Sequence, residues 1–154
     1  MNTVEITDAM IAAIKANDYR LLKSFDEETL LNAKDSRGQN LLFYAVRQKA
    51  HDVLIYLIEC NLDITLKNHY HDTLLHIAAY LGDVFAVRLL LQKGASINAK
   101  NKKLETPLMH AAIKGDLETV KALVSKGASL YEIDSEGQHV LMHAVKSKKL
   151  KVVN

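Results

Sequence analysis

Four leucines, Leu42, Leu75, Leu108 and Leu141, stand 33 residues apart, and that fixed step constrains the chain more than any other feature. The alanines three positions later keep it: Ala45, Ala78, Ala111 and Ala144, with Ala12 one step earlier. A second ladder agrees, through Leu31, Ile64, Ile97 and Leu130, and Asn32-Ala33-Lys34 returns two steps on as Asn98-Ala99-Lys100. A period of this size is the signature of a solenoid, in which each unit buries its apolar face against its neighbours rather than around one central core.

The local grammar of one period can be read from Thr73 onward. Thr73 is placed to cap a helix that carries Leu75, Ala78 and Ala79, small alanines that let a second helix approach closely. Gly82 ends that helix, and Val84 to Leu91 form a second, apolar one. Gly94 follows where a left-handed residue closes a helix, and Ser96-Ile97-Asn98-Ala99 leads out through an extended turn. One ladder of buried positions is expected at Leu54, Val87 and Val120, another at Leu57, Leu90 and Leu123.

Two stretches carry a family resemblance. Thr106-Pro107-Leu108-Met109-His110-Ala111-Ala112 and Thr73-Leu74-Leu75-His76-Ile77-Ala78-Ala79 resemble the T-P-L-H-x-A-A stretch of ankyrin repeats. Gly94-Ala95-Ser96-Ile97-Asn98-Ala99 and Gly127-Ala128-Ser129-Leu130 resemble that family's G-A-D-x-N-A turn. The resemblance implies an all-α ankyrin-repeat solenoid of helix-turn-helix units with protruding, β-hairpin-like fingers. It implies a single domain over 1–154: a degenerate N-terminal cap at 2–34, units at 35–67, 68–100 and 101–133, and a partial unit at 134–154. It also implies that His76 bridges its helix to a finger backbone. Phe43, Met109 and Met142 replace that histidine in the other units, and His71 and Leu104 replace the finger-turn glycine kept at Gly38 and Gly137. The partial unit stops inside its second helix, so Leu141 and Val145 are expected to lose a covering neighbour and residues 134–154 to exchange fastest.

Composition narrows the function classes. Charged residues make up 25% of the chain and the net charge is only +2, short of the strongly basic face a nucleic-acid binder needs. The charge rises from −2 in the first unit to +2 in the last, where Lys146, Lys148, Lys149 and Lys151 cluster. That cluster leaves nucleic-acid or acidic-surface binding as the alternative reading, although a solvated helix face accounts for it. A single cysteine, Cys60, excludes an intrachain disulfide and fits a reducing, cytoplasmic setting. Cys60 aligns with Lys93 and Lys126 at an exposed helix end, which argues against a nucleophile. No phosphate loop or nucleophile elbow is present, so no enzyme and no cofactor are expected. The seven histidines include His69 with His71, and His139 with His143, but no further donors stand at ligand spacing, so no metal is expected.

What remains is a scaffold that binds another protein, and the ankyrin resemblance implies that it does so through its concave surface and finger tips. The 33-residue step places Arg47, Tyr80, Ile113 and Lys146 at one inner-helix position, and Gln48, Leu81 and Lys114 at the next. Ser36, Arg37, Gln39, Tyr70, Asp72, Lys102, Lys103, Glu105 and Gln138 are among the finger-tip positions. Tyr70, Tyr80, Leu81 and Ile113 are expected to form an apolar centre, and Arg47, Lys102, Lys103 and Lys114 a basic rim. His110 and His143 fall on the same inner helices and are expected at the binding surface. Ile55 and Phe85 mark a smaller patch on the outer helices.

Overall fold

Most helix starts are set by a polar side chain one residue ahead of the apolar run, and the computed structural model, which describes residues 3–147, shows those caps in place. The chain divides into two compact units, Met1–His69 and Tyr70–Asn154. Ten helices occur among the described residues, which makes the fold an all-α repeat. None of them is long and apolar enough to cross a membrane.

In the first unit, β1 (Val4–Glu5) is followed by α1 (Asp8–Lys15), α2 (Tyr19–Leu22), α3 (Glu27–Asn32), β2 (Ala33–Lys34), α4 (Leu41–Arg47) and α5 (His51–Glu59). Asp18 caps α2 through the Arg20 N–H, and Asp26 caps α3 through the Thr29 N–H, so the second half of the degenerate repeat is cut into two short helices. The β1–β2 pair is parallel, with Val4 opposite Ala33, and the sequence reading does not anticipate it. Met10, Ala13, Ile14, Leu22, Leu30, Leu42, Phe43, Leu54 and Leu57 form the core. Ala12 keeps the period but is exposed, because α1 packs on α2 and α4 through Met10, Ala13 and Ile14. Cys60 is half-buried rather than exposed, since it caps the C-terminus of α5 beside the Tyr56 hydroxyl.

In the second unit, α6 (Leu74–Tyr80) and α7 (Val84–Gln92) make one helix pair and α8 (Pro107–Lys114) and α9 (Leu117–Ser125) the next, while α10 (Val140–Ser147) follows alone among the described residues. The inner helices α6, α8 and α10 pack in succession, and α7 packs on α9. Ala78, Ala79, Ala111 and Ala112 are fully buried between them, as close helix approach requires. Gly82 answers two demands at once: its φ is +66°, and a Cβ there would lie 3.0 Å from Asp116 Oδ2.

A recurring clamp fixes three of the fingers to their helices. Asp35, Asn101 and Asp134 each accept from the backbone N–H two and four residues on, all at 2.9 Å. The other atom of the same side chain meets a residue nine positions later: the Tyr44 hydroxyl donates to Asp35 Oδ2 at 3.1 Å, Asn101 Nδ2 lies 3.3 Å from His110 Nε2, and His143 Nε2 lies 2.8 Å from Asp134 Oδ2. Neighbouring fingers of the second unit are stitched together by Lys102 N–H to the Tyr70 carbonyl (3.0 Å) and Ser135 N–H to the Lys103 carbonyl (2.8 Å). Gln39 and Gln138 therefore sit at buried finger bases, not at tips, and Asp72 and Glu105 are only partly exposed.

The finger turns need a left-handed residue whether or not glycine supplies it. Gly38 and Gly137 have φ of 76° and 75°, and His71 and Leu104 adopt 62° and 58° at the equivalent positions. A side chain costs about 1 kcal/mol or more in that conformation. Leu104 is 45% exposed and has little packing to lose. Leu104→Gly is accordingly expected to stabilise the chain by about 1 kcal/mol, read as a higher urea midpoint at unchanged slope. An unchanged or lower midpoint would show that the Leu104 side chain contributes contacts that offset its backbone strain.

Lys148, Lys149, Lys151, Val152 and Val153, which enter the charge and end-stability arguments, lie outside the described residues.

Candidate functional site

The inner-helix position predicted to face a partner is occupied in the second unit by Tyr80 on α6, Ile113 on α8 and Lys146 on α10. Tyr80 is 52% exposed, and its ring meets His110 edge to face with centroids 6.1 Å apart. His110 in turn stands edge to face on His76 at 5.0 Å. The tyrosine is thus supported on one side and open on the other, an arrangement that lowers the entropy lost when a partner covers it. Ile113 and Leu81 are half-buried, Leu81 as the residue closing α6. The exposed apolar part of the predicted centre is therefore Tyr80 together with Tyr70, which is 61% exposed. Lys102, Lys103 and Lys114 are exposed as expected. Arg47 belongs to the first unit, where it is exposed at the end of α4 with its guanidinium 5.8 Å from the Phe43 ring centre.

Beneath these side chains lies a polar layer. His76 is fully buried, accepts the Thr73 N–H on Nδ1 at 3.1 Å and donates from Nε2 to the Glu105 carbonyl at 2.8 Å. Burial pushes its pKa down to about 4, so the ring is neutral near pH 7. Met109 takes up half of that role in the next unit, its sulfur lying 3.5 Å from the Thr106 N–H. Met109 thus keeps the helix-capping half of the His76 role, while the bond to the next finger's backbone is that of His76.

His110 and His143 are not free surface groups. His110 Nε2 lies 3.0 Å from Glu105 Oε2, and His143 is 8% exposed and held by Asp134. The hydrogen bond to His110, helped by one from Asn101, holds the Glu105 carboxyl down at about 2. Burial raises the Asp134 carboxyl, but the Gln138 and Glu136 N–H groups and the His143 ring outweigh it and hold it below its usual value. Both carboxylates are therefore charged near neutral pH. The fold also brings Glu105, Asp134 and His143 together, their donor atoms all within 4.8 Å of one another. This corrects the expectation that no donors converge: Glu105 comes from the fourth unit and Asp134 and His143 from the fifth, so no local spacing announces all three.

An exposed apolar groove was not singled out as a site by the sequence. Leu130, Tyr131, Leu141 and Val124 line a groove of about 530 Å³ together with Ala112, Val120, His139, Val140 and Ala144. Tyr131 is 91% exposed, Leu141 51%, and Val145 nearby on α10 62%. The signal was the expectation, drawn from the 33-residue step, that Leu141 and Val145 lose a covering neighbour, and it was read as a stability feature only. His139 belongs to this apolar wall and is not among the converging donors. Phe85 is 42% exposed on α7, and Ile55 is half-buried on α5.

A family profile described as ankyrin repeats (3 copies) matches residues 9–101 and 75–154. Among curated proteins, the chain is similar to alpha-latroinsectotoxin-Lt1a of Latrodectus tredecimguttatus, with 27% identity over 70 residues. That stretch covers 46% of this chain and 5% of the toxin.

Proposed function

Because the chain belongs to the ankyrin-repeat family, whose repeats generally mediate protein–protein interaction, we propose that it is a non-catalytic binding module that holds another protein on the inner helices and fingers of its second unit. The supporting observation is Tyr80, 52% exposed yet steadied by the His110 ring. Tyr70 adds an aromatic at the finger, Ile113 and Leu81 add half-buried apolar area, and Lys102, Lys103 and Lys114 supply a basic rim. In this reading the partner is apolar at its centre and mildly acidic around it. A cytoplasmic scaffold is the setting in which we place this activity.

The test is affinity capture from lysate of the source cells, with the natural chain and a Tyr80→Ala, Ile113→Ala chain side by side. A protein held by the first and lost by the second, with equal helical circular dichroism, supports the reading. Equal recovery by both moves the interface elsewhere. Capture of nucleic acid, weakening steeply with salt, would favour the basic last repeat instead.

A further inference from the structure

We propose that Glu105, Asp134 and His143 form a binding site for a divalent transition metal of the Zn²⁺ type, tying the fourth repeat to the fifth. Glu105 stands just before α8, Asp134 begins the last finger, and His143 lies on α10, so the ligands bridge consecutive repeats. Their donor atoms lie within 4.8 Å of one another, and His143 Nε2 is 2.8 Å from Asp134 Oδ2. Donors of a tetrahedral zinc site stand about 3.3 Å apart with bonds of about 2.0–2.1 Å, so small side-chain rotations bring these three to bonding distance.

Two further observations favour a cation here. First, two carboxylates from different repeats share a largely buried space. Among the described residues their ion-pair partners are histidines, not lysine or arginine. Two negative charges and one divalent cation leave the buried cluster neutral. Second, each carboxylate is already oriented by groups other than the metal. Asp134 Oδ1 is held by the Glu136 and Gln138 N–H groups, both at 2.9 Å, which leaves Oδ2 for the ion. Glu105 Oε2 is held by Asn101 Nδ2 at 2.9 Å and His110 Nε2 at 3.0 Å, which leaves Oε1. Such outer contacts are what fix ligand geometry in metal sites.

The donor chemistry selects the metal class. One imidazole and two carboxylates suit Zn²⁺ or Co²⁺, whereas Ca²⁺ and Mg²⁺ require six or more oxygens. On binding, His143 must carry its proton on Nδ1 so that the Nε2 lone pair faces the ion in place of the present hydrogen bond to Asp134. Water completes the coordination. The site gives the last repeat, which has one helix among the described residues, a further attachment to its neighbour.

The test is titration of the purified chain with CoCl₂, followed by visible absorption, and then with ZnCl₂. The expected result is one Co²⁺ per chain with the intense bands of a tetrahedral site, displacement by Zn²⁺, and an upward shift of the thermal midpoint. Glu105→Gln and Asp134→Asn, which keep side-chain shape, should each weaken Zn²⁺ binding at least tenfold. His139→Ala and His69→Ala should leave it unchanged. The natural chain alone decides whether a site exists: no saturable binding of either ion overturns the proposal. Undiminished binding in folded Glu105→Gln and Asp134→Asn chains overturns the assignment, as does loss in His139→Ala.

Discussion

Replacing His76 by alanine is expected to cost about 3 kcal/mol of folding stability, the combined effect of two lost hydrogen bonds and a cavity at a fully buried position. The Thr73 N–H would lose its partner at a helix start, and the Glu105 carbonyl would lose its donor across a repeat boundary. Urea unfolding followed by circular dichroism measures the loss, and a change below about 1 kcal/mol would mean that water replaces both contacts. The same ring predicts an acid sensitivity whose sign is fixed. Its folded pKa is about 4, below the roughly 6.5 of an unfolded histidine. Between those values the unfolded chain binds a proton that the native chain refuses. Stability from this group is therefore complete above about pH 6.5 and is lost as pH falls toward 4, by about 3 kcal/mol in all. The His76→Ala chain should lack that component of the pH dependence.

The other large effect is expected at the proposed interface. Tyr80→Ala should weaken partner binding about thirtyfold, the ~2 kcal/mol typical of a central aromatic anchor, with little change in folding stability because the ring is 52% exposed. Lys103→Ala should act differently, slowing association and flattening its salt dependence while leaving dissociation nearly unchanged. Surface plasmon resonance with the captured partner separates the two rates. Equal small effects from both changes would remove Tyr80 from the centre of the interface.

The fold was legible because its signals are local and repeated. Thr73 caps its helix where the sequence places it, Thr106 does the same one repeat on, and Gly94 and Gly127 are left-handed where the turn requires it. The left-handed fingers at His71 and Leu104 were legible only through the repeat, since neither residue advertises that conformation. The site was less legible, for a physical reason. Whether Ile113 and Leu81 are exposed depends on how closely α6 and α8 approach, which no single stretch of sequence records. The finger clamp was hidden by its chemistry: Asp35 meets a tyrosine, Asn101 and Asp134 meet histidines, and the pattern emerges only when the bonds are seen. The same long reach hid the convergence of Glu105, Asp134 and His143, and it explains why His110 and His143 looked like surface groups. The apolar groove beside Leu141 was hidden for the opposite reason, since its residues match buried positions of the repeat.

The most direct measurement of the central claim is a hydrogen-exchange footprint of the chain with and without its captured partner. Protection concentrated in peptides covering Tyr70 to Leu81 and Lys102 to Lys114, with Ile55 and Phe85 unchanged, is the predicted result. Protection confined to α5 and α7, or to the groove lined by Leu130, Tyr131 and Leu141, would contradict it.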